Sequence, residues 1–261
     1  NLAGDGRLRF SAVVGQPQTD SRFFSAPGRP TRDAAEQFAR GLKGISIAAG
    51  IALVLTGILI FWYAPLHADQ GMRQKIFYLH VPLAIVALCG FIAGGIMAIQ
   101  YLRTRNPAWD LRSYVAIHMS LIFGVVVLLS GMLWAKSSWG TYWEWKEPTL
   151  VSFLIVFLIF AIYQPMRFAI EDPERQAQTA AVYAIVAGAF VPLNFIAVRL
   201  SQSLIHPRVL TATGDNLPTE MRLTFYAATI AAIPLSAARW TSAPPATPAP
   251  PQPRTVARSL P

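Results

Sequence analysis

The sequence is poor in charged residues and in cysteine, and both shortages restrict what the protein is. Only 13% of its 261 residues are charged and 54% are hydrophobic, which is far from the balance of a soluble globular domain. The single cysteine, Cys89, lies within an apolar run and can form no internal disulfide. We expect its side chain to act as a small buried hydrophobe. The composition therefore predicts a polytopic membrane protein.

Several functional signatures are also missing. The sequence contains no Ser-His-Asp set, no cysteine-rich metal spacing and no phosphate-binding loop. An ATP-driven or hydrolytic function would therefore have to come from another subunit. No internal repeat is visible and the apolar runs contain no Asp or Glu, whereas ion-coupled transporters usually carry ionisable residues in mid-membrane. Both absences argue against such a transporter.

Long uncharged runs are the main feature that is present. A helix needs about 20 apolar residues to cross the hydrocarbon core of a bilayer, and six runs approach or exceed that length. The runs cover residues 44–63, 76–102, 113–134, 149–166, 177–198 and 223–238. The fourth is preceded by Glu147 and Pro148, residue types that suit a helix start. The sequence predicts an all-α fold with six transmembrane helices and both termini on one side.

Lysine and arginine are distributed unevenly between the two predicted faces. The N-terminal arm, the second and fourth loops and the C-terminal tail together carry most of them. The face that is richer in these residues is expected to be cytoplasmic. This placement puts both termini in the cytoplasm and residues 134–150 on the periplasmic or equivalent outer side. It also accounts for the net charge of +9 without nucleic acid as a partner.

Composition divides the chain into three parts. Residues 1–41 are rich in Arg, Ser, Gly and Pro and lack a signal-peptide core, so we expect a disordered arm, with an organelle transit peptide as the alternative. Residues 42–240 form the membrane domain. Residues 241–261 are rich in Pro and Ala and are expected to form a disordered tail.

Residues 134–150 contain an unusual concentration of tryptophan. Four of the seven tryptophans lie there, namely Trp134, Trp139, Trp143 and Trp145. Tryptophan offers a large flat apolar face with one polar edge, which suits a planar partner. The alternative is an aromatic belt at the membrane surface, where Trp and Tyr are enriched without any ligand.

Two histidines are predicted to reach the level of this tryptophan-rich stretch. His80 lies in K-I-F-Y-L-H-V-P at the outer end of the second span, and His206 lies in S-Q-S-L-I-H-P-R between the fifth and sixth spans. Imidazole is a common axial ligand of haem iron, and aromatic rings pack against the porphyrin. An outward aromatic platform between two histidines is what haem needs. The alternative is that each histidine only caps a helix or packs at the interface.

Haem propionates need nearby cations, and the same face supplies several. These cations are Arg73, Lys75, Lys136, Lys146, Arg199 and Arg208. Of the other two histidines, His67 lies in a polar turn and is expected to be solvated. His118 lies near the cytoplasmic end of the third span, where a hydrogen bond across helices is more usual than a metal bond.

Two motifs resemble those of a known family. The run W-G-T-Y-W-E-W at 139–145 is similar to the tryptophan-rich signature of haem-handling membrane proteins in cytochrome c maturation, usually W-G-x-x-W-x-W-D. D-Q-G at 69–71 followed by Y-L-H-V-P at 78–82 is similar to the segment bearing the first ligand histidine of the heme exporter protein C (CcmC) family. The resemblance covers about residues 42–240.

The resemblance implies a function and a set of site residues. It implies that b-type haem is bound transiently at the outer face of the cell inner membrane and delivered to a membrane-anchored haem chaperone. The partners would be an ABC transporter and a small single-span subunit, and catalysis is not implied. By the resemblance, His80 and His206 are the axial ligands of the iron. The platform residues that it implies are Trp139, Trp143 and Trp145, with Gly140 for a tight turn.

One departure stands inside the signature. The family usually has Asp after the last Trp, whereas this chain has Lys146 followed by Glu147. Glu147 could supply the carboxylate one position later, and Lys146 could face a propionate. Two other functions stay open: a cytochrome c synthetase component that attaches haem, although those proteins are usually larger, and a permease subunit in which the tryptophans form only a belt.

Overall fold

The computed structural model describes residues 32–66, 68–201, 205–206, 210–211, 214–215 and 217–240. Six α-helices dominate this part of the chain, with a short π-helical turn after the first helix and a 3-10 turn before the second. The elements are α1 (Arg32–Ile58), the π turn (Leu59–Tyr63), the 3-10 turn (Met72–Ile76), α2 (Phe77–Thr104), α3 (Pro107–Trp139), α4 (Pro148–Phe168), α5 (Pro173–Leu200), β1 (Leu210–Thr211), β2 (Gly214–Asp215) and α6 (Thr219–Trp240).

The helices confirm the predicted all-α polytopic fold. Five of the described helices are long and apolar enough to cross a membrane, and α6 covers the sixth predicted run. β1 and β2 form an antiparallel ladder of only two residues each. Helices dominate because a membrane-spanning segment must satisfy its backbone hydrogen bonds internally. The side on which the termini lie stays a prediction.

The first helix begins earlier than the sequence indicated. α1 starts at Arg32, so residues 32–41 are helical where a disordered arm was expected. The segment D-A-A-E-Q-F-A-R at 33–40 is rich in residues with high helix propensity, which lets the apolar helix extend beyond its membrane run. The rest of the predicted arm and the predicted tail lie outside the described residues.

Local chemistry explains where the central helices end and begin. α2 ends in a left-handed residue, Arg105 (φ 54°), and the Asn106 side chain accepts the Ala108 N–H at 3.0 Å to cap α3. Pro107 occupies the first position of α3, where its missing N–H costs nothing. At the other connection, Glu147 caps α4 and Pro148 opens it, which confirms the start predicted for the fourth span.

α2 is the central helix, packing against α3, α5 and α6. α2 and α5 approach closely where two glycines face each other: a Cβ on Gly188 would lie 3.2 Å from the Cα of Gly95. Small residues allow such close backbone packing between membrane helices. Nearby, the rings of Phe91 and Phe160 stack with centroids 4.0 Å apart. This contact joins α2 to α4 within the apolar core.

The outer surface of the bundle is apolar. Side chains such as Val54 (65% exposed) and Val186 (67% exposed) point away from the core, as expected for helices that face lipid. Cys89 is also exposed, so the expectation that it is buried was wrong. Composition could not reveal this, because a lipid-facing position and a core position of a membrane helix are equally apolar.

Candidate functional site

A cavity of about 640 Å³ opens at one end of the bundle. It lies where α2, α4 and α6 begin and where α3 and α5 end, and most of its lining is apolar or aromatic. Four predicted site residues line it: His80, Trp139, Trp143 and His206. A large apolar cavity with a few convergent polar groups is the usual form of a cofactor or ligand site.

His80 stands on the first turn of α2 and is oriented by α3. Its Nδ1 lies 3.1 Å from the Ser130 hydroxyl. That hydroxyl donates its single proton to a backbone carbonyl, the nearest being Val126 at 2.7 Å, so towards the histidine it acts as an acceptor. Nδ1 therefore carries the ring proton, and Nε2 keeps the lone pair that a metal ion requires.

A glycine makes room for the same ring. A Cβ at Gly131 would lie 2.8 Å from Cε1 of His80, which is closer than side-chain carbons pack. Gly131 and Ser130 are neighbours on α3. One turn of that helix therefore accepts the hydrogen bond from Nδ1–H and also leaves room for the imidazole ring. Sequence reasoning did not identify either residue, because each lies about 50 positions from His80.

The tryptophan loop closes another side of the cavity. α3 ends at Trp139, and Gly140 follows in the left-handed conformation (φ 79°) that glycine adopts without strain. The Trp139 ring contacts the rings of Trp134 (centroids 5.1 Å apart) and His206 (6.5 Å apart), both edge-on. The predicted tight turn at Gly140 is confirmed, and it directs the chain from α3 into the loop.

The tryptophans of the signature differ in exposure. Trp143 lines the cavity, and its buried Nε1 has no hydrogen-bond partner among the described residues. Trp145 is 71% exposed, contacts Trp143 edge-on at 5.9 Å and is not part of the cavity lining. Trp134 and Tyr142, which the predicted site did not include, do line the cavity.

Three of the six cations expected to face the propionates are bonded elsewhere. The Arg73 guanidinium donates to the backbone carbonyl of Ser137, Lys75 Nζ donates to that of Ala64 at 2.6 Å, and Lys136 Nζ donates to that of Gly140 at 2.9 Å. These bonds fasten the loops around the cavity. Arg199 is the cation that lines the cavity in the described part of the chain. Lys146 is exposed and outside the lining, and Arg208 lies outside the described residues.

The other two histidines, His118 and His67, were not predicted to bind haem. His118 lies far from the cavity, stacked on Tyr114 (centroids 5.7 Å apart) and 3.3 Å from the Gln164 amide nitrogen of α4. The expected hydrogen bond across helices is therefore confirmed. His67 lies outside the described residues. Within the described ranges, no group of three or more His, Cys, Asp or Glu side chains comes together to hold a free metal ion.

Comparison with known proteins decides the family. The sequence model of heme exporter protein C matches residues 26–243. The chain belongs to the heme exporter protein C family. The match covers both motifs and the full length of all six helices, since α1 begins at Arg32 and α6 ends at Trp240. The resemblance predicted from the two motifs is thereby confirmed, and this family handles haem in cytochrome c maturation.

Individual relatives are similar over 60 to 69% of this chain. The heme exporter protein C of Paracoccus denitrificans is 29% identical over 182 residues, which are 69% of this chain and 75% of the relative. That of Rhodobacter capsulatus is 31% identical over 160 residues, covering 60% of this chain and 66% of the relative. A putative cytochrome c biosynthesis ccmC-like mitochondrial protein of Marchantia polymorpha is 28% identical over 183 residues, covering 69% and 77%.

Proposed function

We propose that this protein binds haem in the cavity and delivers it to a membrane-anchored haem chaperone. The observation that carries the proposal is that His80, His206, Trp139 and Trp143 line one cavity, although the two histidines are far apart in the sequence. A porphyrin supplies four nitrogen ligands to its iron, so the protein needs to add only axial ligands and flat apolar walls. The lining offers both.

Each residue then has a defined role towards the haem. His80 would present Nε2 to the iron because its Nδ1–H donates a hydrogen bond to the Ser130 hydroxyl, and His206 would supply the second imidazole ligand. Trp139 and Trp143 pack against the macrocycle, and the buried Nε1 of Trp143 can donate to an acceptor on the ligand. Arg199 is positioned to pair with a propionate. Two imidazoles would hold the iron without any covalent bond to the macrocycle, so the haem could be released.

The proposed partners and location follow the family. We infer that the protein works with an ABC transporter and a small single-span subunit in the cell inner membrane. The excess of Lys and Arg on the opposite face supports a periplasmic position for the cavity. Haem bound there is b-type and transient, and the function is binding and transport rather than catalysis.

The absorption spectrum of the purified protein tests haem binding. The full chain is expressed in haem-replete cells and purified in detergent, and we expect a Soret band with the visible bands of six-coordinate low-spin iron. Absence of a Soret band would refute the proposal. A tagged chaperone that co-purifies with the haem-loaded protein, and not with the haem-free protein, would support delivery.

A further inference from the structure

Glu147 is a buried carboxylate that lies between the tryptophan loop and α4. Its side chain is 0% exposed, and an ionised carboxylate is costly to remove from water unless hydrogen bonds satisfy it. It is also the N-cap residue of α4. The cap bond uses one carboxylate oxygen, so the other oxygen needs hydrogen-bond donors from elsewhere in the chain.

The two oxygens of this carboxylate have different partners. Oε1 accepts the Thr149 N–H at 3.4 Å, which is the capping bond of α4. Oε2 accepts the N–H groups of Ile205 at 2.9 Å and of His206 at 3.2 Å. These donors lie 58 and 59 residues further along the chain. One oxygen thus serves its own helix, and the other fastens a distant segment.

The bonds to this segment fix the backbone of a proposed haem ligand. Hydrogen bonds to an ionised acceptor are stronger than those between neutral groups, and two of them restrain the peptide groups on either side of the Ile205 Cα. With the backbone held, the His206 ring lies beside Trp139 and at the cavity wall. Glu147 itself is not part of that wall.

We propose that Glu147 is a positioning residue for His206. Its carboxylate ties the segment that carries His206 to the start of α4, a rigid element, and so holds the imidazole where it can reach haem iron. This inference rests on the proposed haem function. It assigns the residue that follows Lys146 a role in ligand geometry, through backbone contacts that no local sequence pattern reveals.

Two substitutions separate this role from helix capping. Glu147→Ala removes both the cap and the bonds to Ile205 and His206. Glu147→Asp keeps a good N-cap residue for α4 but withdraws the carboxylate by one carbon–carbon bond, about 1.5 Å, which is enough to break the distant bonds. Glu144→Gln is the matched control, because the Glu144 carboxylate lies in the same loop and accepts the Lys146 N–H at 3.0 Å.

Hydrogen–deuterium exchange of the haem-free protein gives the first measurement. In the peptide that carries Ile205 and His206, we expect exchange at these two amides to accelerate at least about tenfold in Glu147→Ala and Glu147→Asp, since each loses charge-assisted bonds. Glu144→Gln should exchange like the unaltered protein. The unfolding temperature of Glu147→Asp should stay close to that of the unaltered protein, and this result would show that the variant is folded.

Haem ligation gives the second measurement. After haemin is added, we expect both Glu147 variants to hold haem roughly 10- to 100-fold more weakly, the usual effect of removing a group that orients a ligand. Their spectra should shift from six-coordinate low-spin towards five-coordinate high-spin iron. Added imidazole should restore the low-spin spectrum, because it replaces the displaced His206 ring. Glu144→Gln should keep the unaltered spectrum.

Two results would overturn the inference. Unchanged exchange at Ile205 and His206 in Glu147→Asp would show that the carboxylate does not hold this segment. Faster exchange with unchanged haem affinity and spin state would show that it holds the segment but does not position a ligand. If the unaltered protein shows no Soret band, the proposed function fails and this role fails with it, while the exchange data still report the contact separately.

Discussion

The two ends of the helix bundle differ in what their polar and aromatic side chains surround. At the end where α3 begins and α4 finishes, the Arg167 guanidinium donates to both oxygens of Asp110, at 2.8 and 2.6 Å, and to the Tyr163 hydroxyl at 3.4 Å. Polar groups there satisfy one another and join α3 to α4, and we call this the closed end of the bundle. At the other end, histidines and tryptophans surround an open cavity of about 640 Å³.

His118 and His80 show what this difference means for a single residue type. His118 is stacked on Tyr114 and bonded to Gln164 through Nδ1, and it is exposed on the outer surface of the bundle, away from the cavity. His80 is bonded through Nδ1 to Ser130 and otherwise faces the cavity. A histidine becomes a candidate haem ligand when its surroundings fix one ring nitrogen and it also lines a cavity that can hold the haem.

The comparison is tested most strongly by removing the histidines. His80→Ala or His206→Ala should each weaken haem binding by more than about 100-fold, beyond the usual effect of losing a group that only orients a ligand. The reason is that each removes an axial nitrogen. Haemin titration followed at the Soret band measures the effect.

His118→Ala is the control for this experiment. It also removes an imidazole from a membrane helix, but at the closed end, and we expect haem affinity and spectrum to stay unchanged. Equal losses of haem from all three variants would contradict the assignment of His80 and His206 as ligands.

A methyl group beside His80 should have the next largest effect. In Gly131→Ala the new Cβ would lie 2.8 Å from His80 Cε1, so the imidazole must move. We expect haem affinity to fall roughly tenfold, the lower limit for disturbing a ligand through its support. Haemin titration and the spin state of the iron measure it.

Gly50→Ala provides the matched substitution, since a Cβ there meets nothing within 4 Å. Both variants gain helix propensity by the same exchange, so only the contact with His80 differs. A Gly131→Ala protein with unaltered affinity would show that the ring is not confined by α3 in this way.

Breaking the ion pair at the closed end should reduce stability and leave haem binding intact. Asp110→Asn leaves the partly buried Arg167 guanidinium without its carboxylate, a loss of about 3 kcal/mol for a buried pair. Unfolding in detergent should occur at a lower temperature, while the Soret band of the folded protein is unchanged.

Glu171→Gln is the control for Asp110→Asn. It removes a carboxylate from an exposed residue in the loop after α4 and should not alter the unfolding temperature. If Asp110→Asn weakened haem binding as strongly as Gly131→Ala, the closed end would be energetically coupled to the cavity, and the two ends would not act independently.

The smallest effect is expected within the tryptophan loop itself. Trp145 is 71% exposed and outside the cavity lining, so Trp145→Phe should change haem affinity less than about twofold, as surface substitutions usually do. Trp143→Phe removes a buried Nε1 donor and part of the cavity wall and should cost more. A larger loss of haem affinity in Trp145→Phe would show that Trp145 belongs to the haem platform, as the signature predicted.

The sequence determined the helices and the region of the site. Uncharged runs of about 20 residues can satisfy their backbone in lipid only as helices, and Glu147 with Pro148 marks the start of α4 by local chemistry alone. The concentration of tryptophans in residues 134–150 and the motif around His80 indicated a haem site because these signals are contained in short stretches of chain.

Only the tertiary structure decided which side chains form the site. Whether Trp143 or Trp145 faces the cavity depends on how the loop closes over the bundle, and three of the candidate cations bind backbone carbonyls instead. The bonds from Ser130 to His80 and from Glu147 to His206 join residues 50 to 59 positions apart. Such pairs meet because helices pack in a particular register, and no local pattern of residue types specifies that register.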